Sequence, residues 1–412
     1  MSMTDTQATV GHARGSSAYR RLTLAMLFAG FSTFSLLYAV QPLLPLLAQD
    51  YALSAEAASL AISLATGPLA VGILVAGALS DRLGRRPLMV FAMLAAGVLT
   101  LAAAFAPGWH ALLALRLLTG IALAGVPAVA MAYVAEEVDA ASIGAAMGLY
   151  IGGSALGGMA GRLVASLAAD VAGWRWAIGA VGLAGIVMAE AFRRLAPPSR
   201  RFVPRRGGHL RGALRLFRDR GLVLLYAEAF VLMGVFITLY NYAGFRLLAP
   251  PYGLSHAAVG AVFLLYVLGS ASSAWFGALA GRLGRRHVFW VPVLILIAGT
   301  ALTAARPLAL VVAGIGVATI GFFGAHSIAS AWVGRRGIAN RGQASAFYLF
   351  FYYLGSSLLG SAGGIAWTKA GWPGVTLFCL ALGLIAAAGA AALARVPPLP
   401  VADPDPPPPV EA

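Results

Sequence analysis

The sequence has few charged residues: Asp, Glu, Lys and Arg together occupy 10% of its 412 positions. A water-soluble domain carries roughly 25% charged residues, so this chain has too few to cover a soluble exterior. The same scarcity excludes intrinsic disorder, which needs low hydrophobicity and high charge. The sequence has one cysteine, Cys379, and therefore forms no intrachain disulfide. Because 60% of the residues are hydrophobic, we predict a polytopic membrane protein.

Signatures of catalysis are missing as well. The sequence has no Gly-Lys-Ser/Thr phosphate loop, no Gly-x-Ser-x-Gly turn and no His-Glu-x-x-His pair. We therefore expect neither an enzyme nor a protein driven directly by ATP, and we expect no cofactor and no metal.

Long runs without charge indicate the membrane spans. A span needs about 20 mainly apolar residues, and backbone groups within lipid must be paired inside their own segment, which favours helices. Turn-forming residues such as Pro107-Gly108 and Pro250-Pro251 divide the longer runs. The pattern predicts an all-α protein with twelve transmembrane helices, at 22–48, 57–79, 87–106, 110–134, 142–168, 174–194, 221–247, 256–280, 287–305, 308–333, 342–367 and 372–394.

Basic residues lie mostly on one side of these spans. With the N-terminus in the cytoplasm, 23 of the 29 Lys and Arg residues are cytoplasmic and four are outside. The positive-inside rule therefore predicts cytoplasmic N- and C-termini. The net charge of +15 then reflects topology and contact with anionic lipid head groups, and no nucleic-acid-binding element accompanies it.

The chain repeats itself at about half its length. Residues 77–86 and 277–286 are identical at eight of ten positions, 200 residues apart. The repeat predicts two pseudo-symmetric six-helix bundles with a cavity between them. The expected segments are a cytoplasmic N-terminal tail (1–21), an N-terminal bundle (22–194), a basic linker (195–220), a C-terminal bundle (221–395) and a Pro-rich disordered tail (396–412).

Twelve spans in two halves, with Gly77-x-x-x-Asp81-Arg82-x-Gly84-Arg85-Arg86 after the second span, resemble the major facilitator superfamily. The resemblance covers residues 22–395. The segments 41–45 (Gln-Pro-Leu-Leu-Pro) and 125–133 are similar to the arabinose-efflux-permease-like branch of bacterial inner-membrane exporters. The resemblance implies a monomeric secondary transporter in the bacterial inner membrane.

The loop motif has two interpretations. The resemblance implies that Asp81, among Arg82, Arg85 and Arg86, is a latch that favours the outward-open state. Gly77 and Gly84 permit close approach and a tight turn. The second copy has Gly281 in place of Asp81, so the latch is expected on one side only. The alternative is a positive-inside anchor with a helix cap.

Three charged residues lie well inside predicted spans, away from their ends: Arg116, Arg162 and Glu228. Such residues are costly in lipid and are functional candidates by default. The resemblance implies proton coupling or anion binding for Arg116, and the alternative is a buried arginine that holds the packing. Glu228 is the candidate proton site, because burial of a carboxyl favours its protonated form; the alternative is a solvated carboxylate beside the linker arginines. The first span contains Gln41 and lacks the acid found in many antiporters of the superfamily.

The fifth predicted span is rich in glycine. Gly153, Gly157 and Gly158 predict close helix packing, although the segment also resembles an antiporter motif in which Ser154 replaces a proline. Arg162 follows on the same helix, and two positions are open to it: the outer interface, or the cavity.

Polar and aromatic residues on the spans that line the superfamily's cavity are the candidate substrate contacts. They are Tyr38, Gln41, Tyr133, Tyr240, Asn241, Phe322, His326 and Tyr352. The alternatives are an interfacial aromatic belt or helix packing, and His326 has no partner at a metal-ligand spacing.

The sequence thus predicts export of a small molecule, such as a drug-like compound, a sugar or a metabolite, in exchange for protons. A symporter or facilitator that imports a metabolite is the alternative, and a receptor on a transporter scaffold is a further one.

Overall fold

The structure is a computed structural model and describes residues 11–199, 201–202 and 214–397. Three of the expected segments lie partly outside the described residues. These are the start of the N-terminal tail (1–10), the middle of the linker (200 and 203–213) and the Pro-rich tail from residue 398 onward.

Helices make up almost all of the described chain. Those before the linker are α1 (Ser17–Tyr38), α2 (Leu44–Asp50), α3 (Ala55–Leu83), α4 (Arg85–Ala103), α5 (Trp109–Leu123), α6 (Pro127–Glu137) and α7 (Ile143–Leu195). Those after it are α8 (Arg220–Leu248), α9 (His256–Ala261), α10 (Tyr266–Leu283), α11 (Arg285–Val288), α12 (Trp290–Leu302), α13 (Leu308–Arg336) and α14 (Arg341–Ala394). The predicted all-α class is confirmed.

Ten stretches of the described residues are long and apolar enough to cross a membrane. Several predicted spans contain a break that the sequence analysis did not foresee. The predicted span 110–134 is divided into α5 and α6, because Pro127 lacks the N–H that would continue the first helix and instead begins the second.

The helix α7 turns back on itself. Its backbone is non-helical at Gly173, where φ is 83°, a value that favours glycine. Before this point α7 runs parallel to α1, since Gly153 and Gly157 face Leu27 and Phe31 in order. Beyond it the chain runs antiparallel to α1, because Leu36 packs on Gly185 and Arg21 reaches the carbonyl of Arg194.

The helix α14 also turns back on itself, at Ala370 and Gly371, where φ of Gly371 is 58°. Gly355 and Gly363 face Phe230 and Thr238 on α8 in parallel order. After the turn the order is reversed: Cys379 lies against Val235, and Gly389 lies against Glu228.

The internal repeat is visible in local geometry. Ser54 and Ser255 both cap a helix by accepting a hydrogen bond from the backbone N–H three residues later, at 3.1 Å in each case. Gly84 and Gly284 both adopt a positive φ, of 91° and 88°. Sequence identity between the halves therefore specifies the same caps and turns twice.

Close backbone approach joins the helices within each half. A Cβ at Gly157 would overlap the carbonyl of Phe31, and a Cβ at Gly355 would overlap the carbonyl of Phe230. Lipid provides no hydrophobic force between helices, so contact depends on such small residues.

Large apolar side chains cover the exterior. Phe91 is 69% exposed, Phe105 79% and Trp176 73%. A surface of this kind is a liability in water and suits a hydrocarbon environment.

The two ends of the bundle differ. At one end Arg86 donates to the carbonyl of Arg193 at 2.7 Å, and Arg336 pairs with Asp219 at 2.9 Å. We call this the arginine end, and we call the opposite end, which carries Asp170, the Asp170 end.

Candidate functional site

A cavity of about 550 Å³ lies between the helices that precede the linker and those that follow it. It reaches toward the arginine end, since Val333 and Ser345 line it a few residues from Arg336 and Arg341. The lining comes from α1, α6 and α7 of the first half and α8, α10, α13 and α14 of the second. This size suits a drug-sized ligand.

Hydrogen bonds close the cavity toward the Asp170 end. Gln41 donates through Nε2 to Oδ1 of Asn241 at 2.7 Å. The hydroxyls of Ser63 and Ser361 are 2.6 Å apart, and Ser357 donates to the carbonyl of Ser63 at 2.9 Å. The two halves are thus joined by buried side chains on the Asp170 side of the cavity.

Asp170 adds a further link at the rim of that end. Its two carboxylate oxygens accept hydrogen bonds from the backbone N–H groups of His256 and Ala257, each at 2.8 Å. Close by, Ser166 packs against Gly260. These hydrogen bonds between the halves lie between the cavity and the Asp170 end.

Arg162 enters the cavity from α7. Its guanidinium donates through Nε to Oε1 of Gln41 and through Nη1 to the carbonyl of Gly158, both at 2.6 Å. The ring of Tyr38 lies 4.4 Å from the guanidinium carbon, and those of Phe263 and Tyr266 lie at 5.1 Å. The structure therefore resolves the two positions left open by the sequence: Arg162 faces the cavity and is 2% exposed.

Aromatic side chains form the opposite wall. Phe236 and Phe322 stack with ring centroids 3.9 Å apart. His326 lies 4.9 Å from the ring of Tyr352 and shares a 2.9 Å hydrogen bond, through Nδ1, with the hydroxyl of Tyr348. Stacked rings offer a flat apolar body a large contact area.

The candidate cavity residues divide into two groups. Tyr38, Phe322, His326 and Tyr352 line the cavity. The other four do not: Gln41 and Asn241 lie beyond it, the hydroxyl of Tyr133 donates to the carbonyl of Pro197, and the hydroxyl of Tyr240 is 2.8 Å from that of Thr319.

Glu228 is buried in α8 and lies outside the cavity lining. Its carboxyl packs against Gly389 of α14, and its Oε2 atom has no hydrogen-bond partner among the described residues. Tyr348, which lines the cavity, is within electrostatic range of Glu228. A buried carboxyl without a cationic partner favours the neutral, protonated form, because desolvation penalises the charge.

Arg116 joins three helices near the Asp170 end. From α5 it donates to the carbonyl of Ala61 on α3 at 2.9 Å and to those of Leu36 and Leu37 on α1 at 3.0 and 2.5 Å. It is fully buried. This geometry matches the packing role that the sequence analysis gave as an alternative.

The loop motif forms an ion-pair junction at the arginine end. Arg85 pairs with Asp81 at 2.7 Å and with Glu136 of α6 at 2.8 Å. Arg85 also contacts the hydroxyl of Ser80. Sequence reasoning placed Asp81 here but missed Glu136, whose spacing in sequence gives no signal. In the second copy Gly281 replaces Asp81, and no acidic partner is found for Arg285 within the part of the chain that the structure describes.

The glycines of α7 serve two purposes. Gly153 and Gly157 face the backbone of α1, as the packing prediction requires. Gly158 lines the cavity, and its carbonyl holds Arg162.

Comparisons with known proteins point to one family. A sequence model described as "Major Facilitator Superfamily" matches residues 25–250. The chain is 44% identical to the uncharacterized MFS-type transporter YybF of Bacillus subtilis, over 88% of this chain and 90% of that one. It is also 44% identical to the inner membrane transport protein YnfM of Escherichia coli, over 91% and 90%. Among solved structures, a bacterial homologue of the human lysosomal transporter Spinster, inward-facing and occupied, superimposes with a TM-score of 0.74 at 17% identity, covering 93% of this chain and 98% of that one.

Proposed function

The chain belongs to the major facilitator superfamily, and on that premise we propose that it exports a small molecule by alternating access in exchange for protons. As a member of this family it is a multi-pass membrane transporter and not an enzyme. The single observation that carries the proposal is the cavity between the halves, which hydrogen bonds close at one end.

The proposed topology has twelve spans, with each of α7 and α14 crossing the membrane twice. The chain reversals at Gly173 and Gly371 support this count. The arginine end is cytoplasmic by the positive-inside rule, so both termini are cytoplasmic. The bundles are residues 22–194 and 221–395, joined by the linker 195–220, and the protein is a monomer in the bacterial inner membrane.

In this topology the structure represents an inward-open state. The bonds of Gln41, Ser63 and Asp170 across the halves support closure on the outer side. The junction of Asp81, Arg85 and Glu136 lies within the first half and is the proposed latch of the opposite state.

Glu228 is the proposed proton carrier. The support is its burial, its unpartnered Oε2 atom and the proximity of Tyr348. Tyr348 in turn shares a hydrogen bond with His326, and both residues line the cavity. Arg116 is the weaker coupling candidate, since its donors are occupied by backbone carbonyls.

The test is transport in proteoliposomes of a panel that spans the chemistry of possible cargoes: L-arabinose, ethidium and 2-naphthoate. We expect an imposed pH gradient to drive at least one of them against its gradient. Glu228→Gln should slow gradient-driven transport at least tenfold and leave substrate exchange without a pH gradient intact. Glu190→Gln is the matched control, because Glu190 pairs with Arg193 and Arg194 at the exposed arginine end. Transport that ignores both the pH gradient and Glu228→Gln contradicts the coupling.

Import is the second candidate. The observation that favours it is the first span, which contains Gln41 and lacks the acid that many antiporters of the superfamily carry in that span. Whole cells that overproduce an importer accumulate the substrate, whereas cells that overproduce an exporter are depleted of it.

A further inference from the structure

The cavity holds a positive charge that no acidic side chain balances. Arg162 is the charged lining residue, and the described residues around the cavity include no Asp or Glu. Its partners are neutral: an amide, a carbonyl and aromatic rings. Burying an unpaired ion is expensive, so this arrangement is most stable when a ligand supplies the opposite charge.

Part of the guanidinium is available to such a ligand. Nε and Nη1 have partners, but the structure gives Nη2 no hydrogen-bond partner among the described residues. Nη2 therefore retains donor capacity, and Nη1 retains its second N–H. Two adjacent N–H groups on one planar guanidinium match the geometry of a carboxylate.

The contacts of Arg162 hold it in this position. Gln41 receives the Nε hydrogen bond and is itself fixed by its bond to Asn241 at 2.7 Å. The ring of Tyr38 packs on the guanidinium. A side chain held in this way loses little conformational freedom when a ligand binds.

The rest of the lining suits an apolar, flat body. The stacked rings of Phe236 and Phe322 continue through His326 to Tyr352. With one cation and an aromatic wall, the cavity fits one negative group on an aromatic or similarly apolar frame.

We propose that the transported substrate is a small organic anion whose carboxylate binds Arg162 and whose apolar body lies against the wall formed by Phe236, Phe322 and Tyr352. This inference rests on the proposed function, because it assigns the substrate class of the same cavity. It excludes cationic amphiphiles, which the aromatic rings attract but Arg162 repels.

The test compares three ligands of nearly one shape and different charge: 2-naphthoate, 2-naphthamide and 2-naphthylmethylamine. Binding is measured by equilibrium dialysis with the full chain in nanodiscs, and binding to empty nanodiscs is subtracted. We expect naphthoate to bind at least tenfold more tightly than the amide, and the ammonium ligand to bind most weakly. An amide that binds as well as the acid, or an amine that binds better, overturns the proposal without requiring any variant.

Variants of Arg162 then test whether the carboxylate of naphthoate binds this residue. Arg162→Gln should lower naphthoate affinity at least tenfold and leave amide affinity unchanged, and Arg162→Lys should restore the preference for the acid. Arg175→Gln is the matched control, since Arg175 is exposed and lies at the Asp170 end beside Asp50. If Arg162→Gln does not fold, the comparison of Arg162→Lys with the wild type decides: equal affinity for acid and amide in both overturns the assignment.

Different experimental results would contradict the proposed substrate class and the proposed function. Transport of arabinose or ethidium under a pH gradient, with no preference for naphthoate, refutes the anion and retains the exporter. Tight naphthoate binding without transport of any member of the panel retains the anion site and refutes the exporter.

Discussion

The carboxylate of Asp170 is expected to stabilise the inward-open state. It accepts two backbone hydrogen bonds from the start of α9 in the other half, at 2.8 Å each. When the halves separate at that end, both N–H groups exchange the carboxylate for water. Asp170→Asn removes the charge and leaves one acceptor oxygen, so one of the two bonds is lost and the other is weakened.

The size of the effect follows from the bonds. A net hydrogen bond contributes about 0.5–1.5 kcal/mol, and the exposed rim places these in the lower half of that range, at about 0.5–1 kcal/mol each. Losing one bond and weakening the other costs about 1 kcal/mol, which is about a fivefold change in the ratio of inward-open to outward-open molecules. Asp170→Ala removes both bonds and should shift the ratio by about five- to thirtyfold.

The assay is a distance measurement between spin labels across the Asp170 end. Phe105→Cys and Ala304→Cys provide one label in each half, and Cys379→Ser removes the buried native thiol, the single cysteine of the sequence. Pulsed electron paramagnetic resonance should show the long-distance population growing in Asp170→Asn and growing further in Asp170→Ala.

The matched control is Asp50→Asn at the same end. Asp50 bonds to Trp174 at 2.8 Å and to Arg175 at 3.3 Å, both within its own half. It therefore should not change the distance distribution. A shift of equal size in Asp50→Asn and Asp170→Asn, or none in Asp170→Ala, would refute the reasoning.

Two further predictions concern the packing of the bundle. Gly157→Ala should lower the apparent Tm in detergent, because the new methyl group overlaps the carbonyl of Phe31, whereas Gly152→Ala, which meets open space, should leave the Tm unchanged or raise it slightly. Arg116→Lys should lower the Tm further and reduce the free energy of unfolding by about 2–4 kcal/mol, because one ammonium group cannot bind three separated carbonyls. Arg175→Lys on the exposed rim should reduce it by less than about 1 kcal/mol. Equal effects within either pair would contradict the packing account.

Much of the fold could be predicted from the sequence. Charge-free runs, the repeated Gly-Ala-Leu motif and the loop of residues 77–86 identified an all-helical membrane transporter of this family, and the comparisons confirm it. These features are local or periodic, so they survive in a single sequence. The helix breaks at Pro127 and Gly173 are local as well. The direction in which the chain continues after each break, however, depends on the neighbouring helix that it packs against.

The site was harder to predict, and for a physical reason. A helix that is apolar on every side carries no stripe to show which face meets lipid, a neighbour or a cavity. Tyr133 and Tyr352 look alike in sequence, yet the first bonds to the backbone at Pro197 and the second lines the cavity. One usable signal was overlooked. Aligning Gly144 with Gly342 places Arg162 opposite Gly360, so the cation breaks the repeat.

The bond between Gln41 and Asn241 has a consequence for how the two halves meet. The residues are 200 positions apart, and matched positions of the two halves are separated by 198 to 201 residues, so the two amides come from corresponding regions of the two halves. In a dimer of identical six-helix units, such a region would lie close to its own copy. An amide suits such a self-contact, because it carries both a donor and an acceptor, whereas two carboxylates or two ammonium groups would repel. Arg162 donates to the Oε1 of Gln41, whereas the Nδ2 of Asn241 lies beside Gly360 and has no hydrogen-bond partner among the described residues. The two halves thus meet through a pair of amides and differ chemically at the next contact, where Arg162 of the first half has Gly360 as its counterpart.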